Sequence, residues 1–307
     1  MLDVCICTHN PDPELLAIVL RALTNQTLAK SQYRVWAIDN ASEPPLTMSD
    51  LALLTAAGVH CKLLSAPQLG LIYARNVAID ATDRQWLVFV DDDNELSEHY
   101  LETVMEIIAK HPEFGCFGGK LLLPSDAKYP NWMQAMLPFL GIKDVGDREL
   151  SARVDYWGEW EPPGAGFIVR RAVLESFQQR LATLPQAVIL GRQGQSLLSA
   201  EDSAIARSAY DLGLYCAYQP QLKLIHHIKP HRLTFPYLIR LLYGHGRSYV
   251  LLERIMGNPV TRIDGWKVII FVLRKIVSQI VELKSIPQSL CMLAWDCGYL
   301  YESRQSQ

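Results

Sequence analysis

Several function classes are excluded by what the 307-residue chain lacks. Its seven cysteines (Cys5, Cys7, Cys61, Cys116, Cys216, Cys291 and Cys297) form no C-x-x-C pair, so neither a zinc site nor a disulfide framework is indicated. An odd, scattered set in apolar runs reads as small core residues in a reducing, cytosolic compartment. Neither G-x-x-x-x-G-K-S/T nor G-x-G-x-x-G follows the first apolar run, so a kinase- or dehydrogenase-type phosphate loop is missing. No uncharged apolar run reaches the roughly 18 residues of a membrane-spanning helix. The nearest, 266–283, is broken by Lys267, Arg274, Lys275 and Glu282. The start is no signal peptide, since Asp3 interrupts a segment that reads as a strand. A net charge of −3 carries no basic excess for nucleic acid.

What the chain does have is an alternation of short apolar runs and helical segments. Residues 2–7, 33–38, 59–64 and 86–90 read as strands, separated by helices at 12–23, 49–57 and 71–82. Asp12-Pro13 supplies an N-cap and first-turn proline for the first helix. Such a pattern predicts an α/β fold with a mostly parallel, Rossmann-like sheet flanked by helices. Residues 97–111 read as a helix, 114–123 and 164–169 as strands, 171–181 and 200–212 as helices, and 124–163 as a long functional loop. Beyond 233 only helices are expected, and from 234 to 285 eight Lys or Arg stand against three acids.

Three of the first four strands end in polar clusters: Thr8-His9-Asn10, Asp39-Asn40-Ala41-Ser42 and Asp91-Asp92-Asp93-Asn94. In an open parallel sheet those ends share one edge, where ligands bind. The third cluster, in WLVFVDDDNEL, raises a question of charge. Two carboxylates about 4 Å apart repel by roughly 1 kcal/mol in water and about 4 kcal/mol at a protein-like dielectric. A hard divalent cation, Mg²⁺ or Mn²⁺, neutralises such a block. The alternative is a solvated acidic turn, with Asn94 and Ser97 capping the next helix.

The ordered series VCICTHN (4–10), AIDNAS (37–42), GLIYARNVAI (70–79), FVDDDNEL (89–96), GAGFIVRRAVL (164–174) and SAEDSAIARSAYDLGL (199–214) resembles the family 2 glycosyltransferases of the GT-A fold, over roughly residues 2–232. The resemblance implies a catalytic domain at 1–233, with a nucleotide-sugar-binding half at 1–123 and an acceptor half at 124–233. A helical extension follows at 234–307. It also implies a metal-dependent, inverting transfer from a nucleotide-sugar donor, UDP- or dTDP-linked, to a glycan or lipid-linked acceptor in cell-surface polysaccharide synthesis. Thr8, His9, Asn10, Asp39, Asn40, Arg75, Asp91 and Asp92 would line the nucleotide-sugar pocket. Asp93, Asp91 and His226 would hold Mn²⁺ or Mg²⁺. Asp202, beside Glu201, would be the general base, and Trp160, Gly164 and Gly166 would lie on the acceptor side.

Each role has a plainer counterpart. Ser199 and Asp202 fit a capping box, and Arg75 can pair with Asp80 or Asp83 along its own helix. His226 or His227 can simply bond backbone at a strand end. The basic segment 265–283 suits a helix lying on an anionic membrane, which would put the enzyme at the inner face of the cell membrane, or a helix packed on protein. Two rival functions remain: a sugar-nucleotide nucleotidyltransferase, which needs a basic glycine-rich loop that THNPDP does not supply, and a noncatalytic binding protein on the same fold.

Overall fold

The computed structural model describes residues 1–183, 190–191, 196–264 and 285–305, together with positions 268, 274 and 278. The 265–283 helix considered for membrane contact therefore lies almost wholly outside the described residues. Among those residues, no helix is long and apolar enough to cross a membrane. The chain divides into two compact units: 1–125, 141–183 and 201–227, and 126–140, 184–200 and 228–307.

The first unit is built on a nine-stranded sheet. Its elements begin β1 (Leu2–Thr8), α1 (Pro13–Thr24), β2 (Tyr33–Asp39), α2 (Ala52–Ala56), β3 (Cys61–Ser65), α3 (Leu71–Ala81) and β4 (Trp86–Val90). They continue with β5 (Asn94–Leu96), α4 (Tyr100–Lys110), β6 (Phe114–Leu122), β7 (Leu150–Ala152), β8 (Phe167–Arg170), α5 (Arg171–Thr183), α6 (Glu201–Asp211) and β9 (Tyr215–His226). Strands run in the order β3-β2-β1-β4-β8-β6-β9-β5, with β7 also on β9. The β3-β2-β1-β4 half is parallel, as the alternation predicts, and β8 then enters antiparallel between β4 and β6. β1, β2 and β4 are buried almost throughout, whereas the edge strand β3 is half exposed, and α1 adds Leu16, Val19, Leu20 and Leu23 to the core.

Register decides which polar groups meet. Thr8 is paired with Asp39, Asp39 with Ser65, and Ile6 with Val90, so the chain leaves β1, β2 and β4 at one edge. One sequence expectation changes here. Asn94 does not cap a helix, because it opens β5, which pairs antiparallel with the end of β9 and sets Asn94 opposite His226. Helix α4 starts only at Tyr100. The acid block is thus a tight turn between two strands, closed by Asn94 N–H to the Asp91 carbonyl at 3.2 Å and Asp91 N–H to Asn94 Oδ1 at 3.1 Å.

In the second unit, α7 (Phe235–Ile255) packs on α8 (Ile286–Glu302), and residues 131–140 form helical turns rather than open loop. The Gln288 amide donates to the Trp132 carbonyl at 2.8 Å, and Trp132 meets Phe235 edge to face.

Candidate active site

The three strand-end clusters interlock through named bonds. Thr8 Oγ1 donates to Asp92, and the Thr8 carbonyl accepts from Asn40 N–H at 2.8 Å. His9 Nδ1 lies 2.8 Å from the Asn40 carbonyl. Asn10, at a φ of 48°, donates its N–H to Ser42 Oγ at 2.9 Å and accepts from Glu43 N–H at 2.8 Å. Asparagine tolerates this left-handed backbone better than most residues. Asn40 holds the loop before α3, donating to the Ala66 and Gln68 carbonyls and accepting from Gly70 N–H. Asp39 accepts from Ser42 N–H at 3.1 Å and from Leu46 N–H at 3.0 Å, so its carboxylate shapes the 40–46 loop.

Arg75 does not pair along its own helix. It is 3 % exposed, donates to Glu201 Oε1 at 3.0 Å and lies over the Phe89 ring. Asp83 pairs with Arg34 instead, and Asp80 lies near Gln178. Arg75 therefore links α3 to the start of α6, where Asp202 stands. Nor does Asp202 complete a capping box, for α6 begins at Glu201 and Ser199 lies one residue too far out. The Asp202 carboxylate instead accepts from Gly164 N–H at 2.8 Å and Ser203 N–H at 3.0 Å. A Cβ on Gly164 would stand 3.0 Å from Arg75 Nη2 and 3.2 Å from Asp202 Oδ2, so any larger residue there must displace one of these two charged groups. Gly166 has a φ of 62°, and its carbonyl accepts from the buried Tyr100 hydroxyl at 2.8 Å. Trp160 leans over Gly158 and donates to the Tyr210 hydroxyl at 3.3 Å, whereas Trp157 is exposed.

The acid block is electrostatically loaded. Loss of solvent around half-buried Asp91 pushes its carboxyl up, and the charge of Asp93 pushes it further. His226 Nε2 stands 3.5 Å from Asp93 Oδ2, while its buried Nδ1 has no hydrogen-bond partner. His227 turns away to Glu95 at 2.8 Å. Among the described residues, no group of three or more His, Cys, Asp and Glu stands ready to hold a metal ion. The donors present still fit a hard divalent ion, which takes one or two carboxylates from the protein and fills its shell with water and substrate phosphate. Repulsion between Asp91 and Asp93 is what such an ion would relieve.

Sequence reasoning passed over Glu161, Ser203, Arg207 and Lys143, which meet at Glu161, with Ser203 also bonded to Asp202. Glu161 carried a signal: it is the one acid between Trp160 and the prolines of WEPPGAG. Ser203 and Arg207 read as ordinary helix residues, and their reach to Glu161 spans some forty positions of chain.

Known proteins share this fold. The chain is similar in fold to the S. aureus TarS 1–349 solved with UDP-GlcNAc, at 14 % identity and a TM-score of 0.51, covering 83 % of this chain and 71 % of that one. Another structure of S. aureus TarS matches at 15 % identity and a TM-score of 0.50, covering 83 % of this chain, and this chain spans 42 % of that one's length. The Pyrobaculum calidifontis mannosyltransferase PcManGT, solved with GDP-Man and Mn²⁺, matches at 14 % identity and a TM-score of 0.55, over all of this chain and 76 % of the other. No curated protein sequence matches. The profile of the Glycosyl transferase family 2 matches residues 3–177, more than half of the sequence and including every cluster of the sheet edge, and with this GT-A architecture the chain belongs to that family.

Proposed function

We propose that the protein is a metal-dependent, inverting glycosyltransferase that moves a sugar from a nucleotide donor, UDP- or dTDP-linked, to a hydroxyl of a glycan or lipid-linked acceptor. The observation that carries this reading is Arg75, bound to Glu201 at 3.0 Å and adjacent to the Gly164–Asp202 contact, with Asp91 among the charges acting on it. One guanidinium thus bonds the acid pair at the start of α6 and lies within electrostatic reach of Asp91 in the acid block. The donors bound in the similar structures, UDP-GlcNAc and GDP-Man with Mn²⁺, support a nucleotide sugar and a divalent ion.

In this reading Thr8, His9, Asn10 and Asn40 frame the base and ribose, with Asp92 held at the ribose by Thr8. Asp39, each of whose oxygens keeps a lone pair beyond its backbone N–H, accepts the imide N–H of uracil or thymine. Asp93, with Asp91 and His226, would hold Mn²⁺ or Mg²⁺; a bound cation supplies positive charge where the diphosphate develops negative charge. Asp202 takes the proton of the acceptor hydroxyl as that oxygen bonds to the anomeric carbon. The bond from that carbon to the diphosphate oxygen breaks on the opposite face, so configuration inverts. Gly164 N–H holds Asp202 by one oxygen and leaves the carboxylate a free lone pair to receive the proton.

A thermal-shift series with UDP, dTDP and GDP, each with and without Mn²⁺, tests the donor side. Ligand at about 100 times Kd adds roughly 2.7 kcal/mol of stability, enough to move the melting point by several degrees. Asp93→Ala is expected to lose the Mn²⁺-dependent part of the shift. Asp202→Asn is expected to keep the shift and lose transfer. No metal-dependent shift with any of the three nucleotides would favour a noncatalytic binding protein.

A further inference from the structure

The loop that brings Gly164 to Asp202 carries a second, deeper carboxylate. Glu161 is 4 % exposed and accepts a hydrogen bond from the Ser203 hydroxyl at Oε1. The backbone N–H of the same Ser203 donates to Asp202 Oδ1 at 3.0 Å, so one residue bridges both acids. The other oxygen, Oε2, is buried without a hydrogen-bond partner and faces Arg207 Nε at 3.6 Å. Arg207 is 1 % exposed and also reaches toward Asp155 at 3.6 Å. From the far side Lys143 Nζ donates to the Glu161 carbonyl at 2.6 Å. Three stretches of chain thus meet at Glu161: its carboxylate meets Ser203 and Arg207 of α6, and its backbone carbonyl meets Lys143.

We propose that Glu161 is a positioning residue for Asp202: in its ionised form it holds Ser203 and Arg207, and through Ser203 it fixes the first turn of α6 so that the Asp202 carboxylate meets the acceptor hydroxyl. The inference rests on the transferase reading above. Its physical basis is the direction of the Ser203 bond. A carboxylate only accepts, so the ionised acid fixes the Ser203 hydroxyl as donor and attracts the guanidinium. A protonated acid adds a donor of its own, lets the hydroxyl turn and gives up the attraction of Arg207.

The switch between these forms falls in the working range of an enzyme. Burial pushes the Glu161 carboxyl up to about 7, with the charge of Asp202 adding to the rise. The Ser203 bond, Arg207 and Lys143 oppose it. Lys143, itself pulled down to about 8 by burial, completes the set of charges. The remaining titratable groups within electrostatic reach are Tyr210 on α6, Cys116 on β6, and Glu159 and Asp155 on the loop. Because the Glu161 value is raised, the proton stays on below about 7 and the clamp forms as pH rises through it.

The test measures release of nucleoside diphosphate from UDP-, dTDP- and GDP-sugars by the full chain, between about pH 5.5 and 9. Glu161→Gln keeps the shape and loses the charge. Its kcat should equal that of the wild type near pH 6 and fall about tenfold behind it above pH 8, a part of the roughly 10²–10⁴ that a positioned base supplies. The donor KM should not move. Ser203→Ala, which removes the bridge and keeps both charges, should lower kcat above pH 8 with the same unchanged KM. A wild-type to Glu161→Gln ratio constant across pH, or a rise in donor KM in place of a fall in kcat, overturns the proposal. Wild-type protein that releases no diphosphate from any donor sinks the transferase reading and this one with it, a result distinct from an active wild type with a flat ratio.

Discussion

Arg75 and Glu201 form a deeply buried ion pair beside the site, 3.0 Å apart with side chains 4 % and 3 % exposed. Removing one partner from such a pair costs about 3–5 kcal/mol because an uncompensated charge stays behind. The two deletions are not equivalent. Burial already pushes the Glu201 carboxyl up, so without Arg75 it can take a proton and become neutral. A guanidinium has no such escape. Glu201→Ala is therefore expected to lower the melting point by about 10 °C at neutral pH, and Arg75→Met by less. The Arg75→Met loss should shrink as pH falls, since its Glu201 binds a proton that the unfolded chain releases. Melting curves of both variants from pH 5 to 8 check the order; equal losses at every pH would mean that the pair is not the source of the cost. The partner of Arg75 was invisible in the sequence for a geometric reason. An ion pair spanning 126 positions has no period to betray it, and the local alternatives, Asp80 and Asp83, lay only five and eight residues on. Thr8, Asp39 and Asp91 were legible because a polar cluster after an apolar run marks a strand end wherever the sheet is parallel.

Among the elements, the parallel β3-β2-β1-β4 half followed from its pattern, since each strand is a short run ended by a turn or polar cluster. β5 was hidden because three residues behind three aspartates carry no period of two, and its place is set by pairing with β9. The α7–α8 contact is another case in which sequence and packing point in opposite directions. A Cβ on Gly246 would stand 2.0 Å from the Trp295 carbonyl oxygen, and one on Gly298 would stand 2.1 Å from that of Tyr243. Each helix thus puts a bare backbone against a carbonyl of the other. Helix propensity alone says that Gly→Ala within a helix gains about 1 kcal/mol. The crossing says that the added methyl must push two backbones apart, at about 1–3 kcal/mol or more. The second effect is the larger, so Gly246→Ala and Gly298→Ala are each expected to lower the melting point. A rise in either variant would show that the helices are not held this closely in solution.

The two compact units are not consecutive in sequence, and that has a consequence for cutting the chain. Composition changes at about residue 233, where the helices begin, and a boundary there is the natural reading of the sequence. Yet residues 126–140 belong to the compact unit of α7 and α8. Their Met133, Met136, Leu137 and Leu140 are buried, Gln288 on α8 bonds the Trp132 carbonyl, and Phe235 on α7 packs on the Trp132 ring. A chain ended at 233 would keep the 126–140 turns and lose both helices that these bonds reach. Fully burying one such side chain contributes about 1.5–3 kcal/mol, so four of them left open form an adhesive patch rather than a neutral surface. The 1–233 fragment is expected to bind a hydrophobic dye and to associate on gel filtration. The same fragment carrying Met133→Ser, Met136→Ser, Leu137→Ser and Leu140→Ser should do so far less, while retaining the Mn²⁺-dependent shift with a nucleoside diphosphate, because the first unit holds every residue of the proposed donor site. A monomeric, dye-silent 1–233 fragment with its natural sequence would show instead that the 126–140 turns find their partners within the catalytic unit, and that the helices are a separable addition to it.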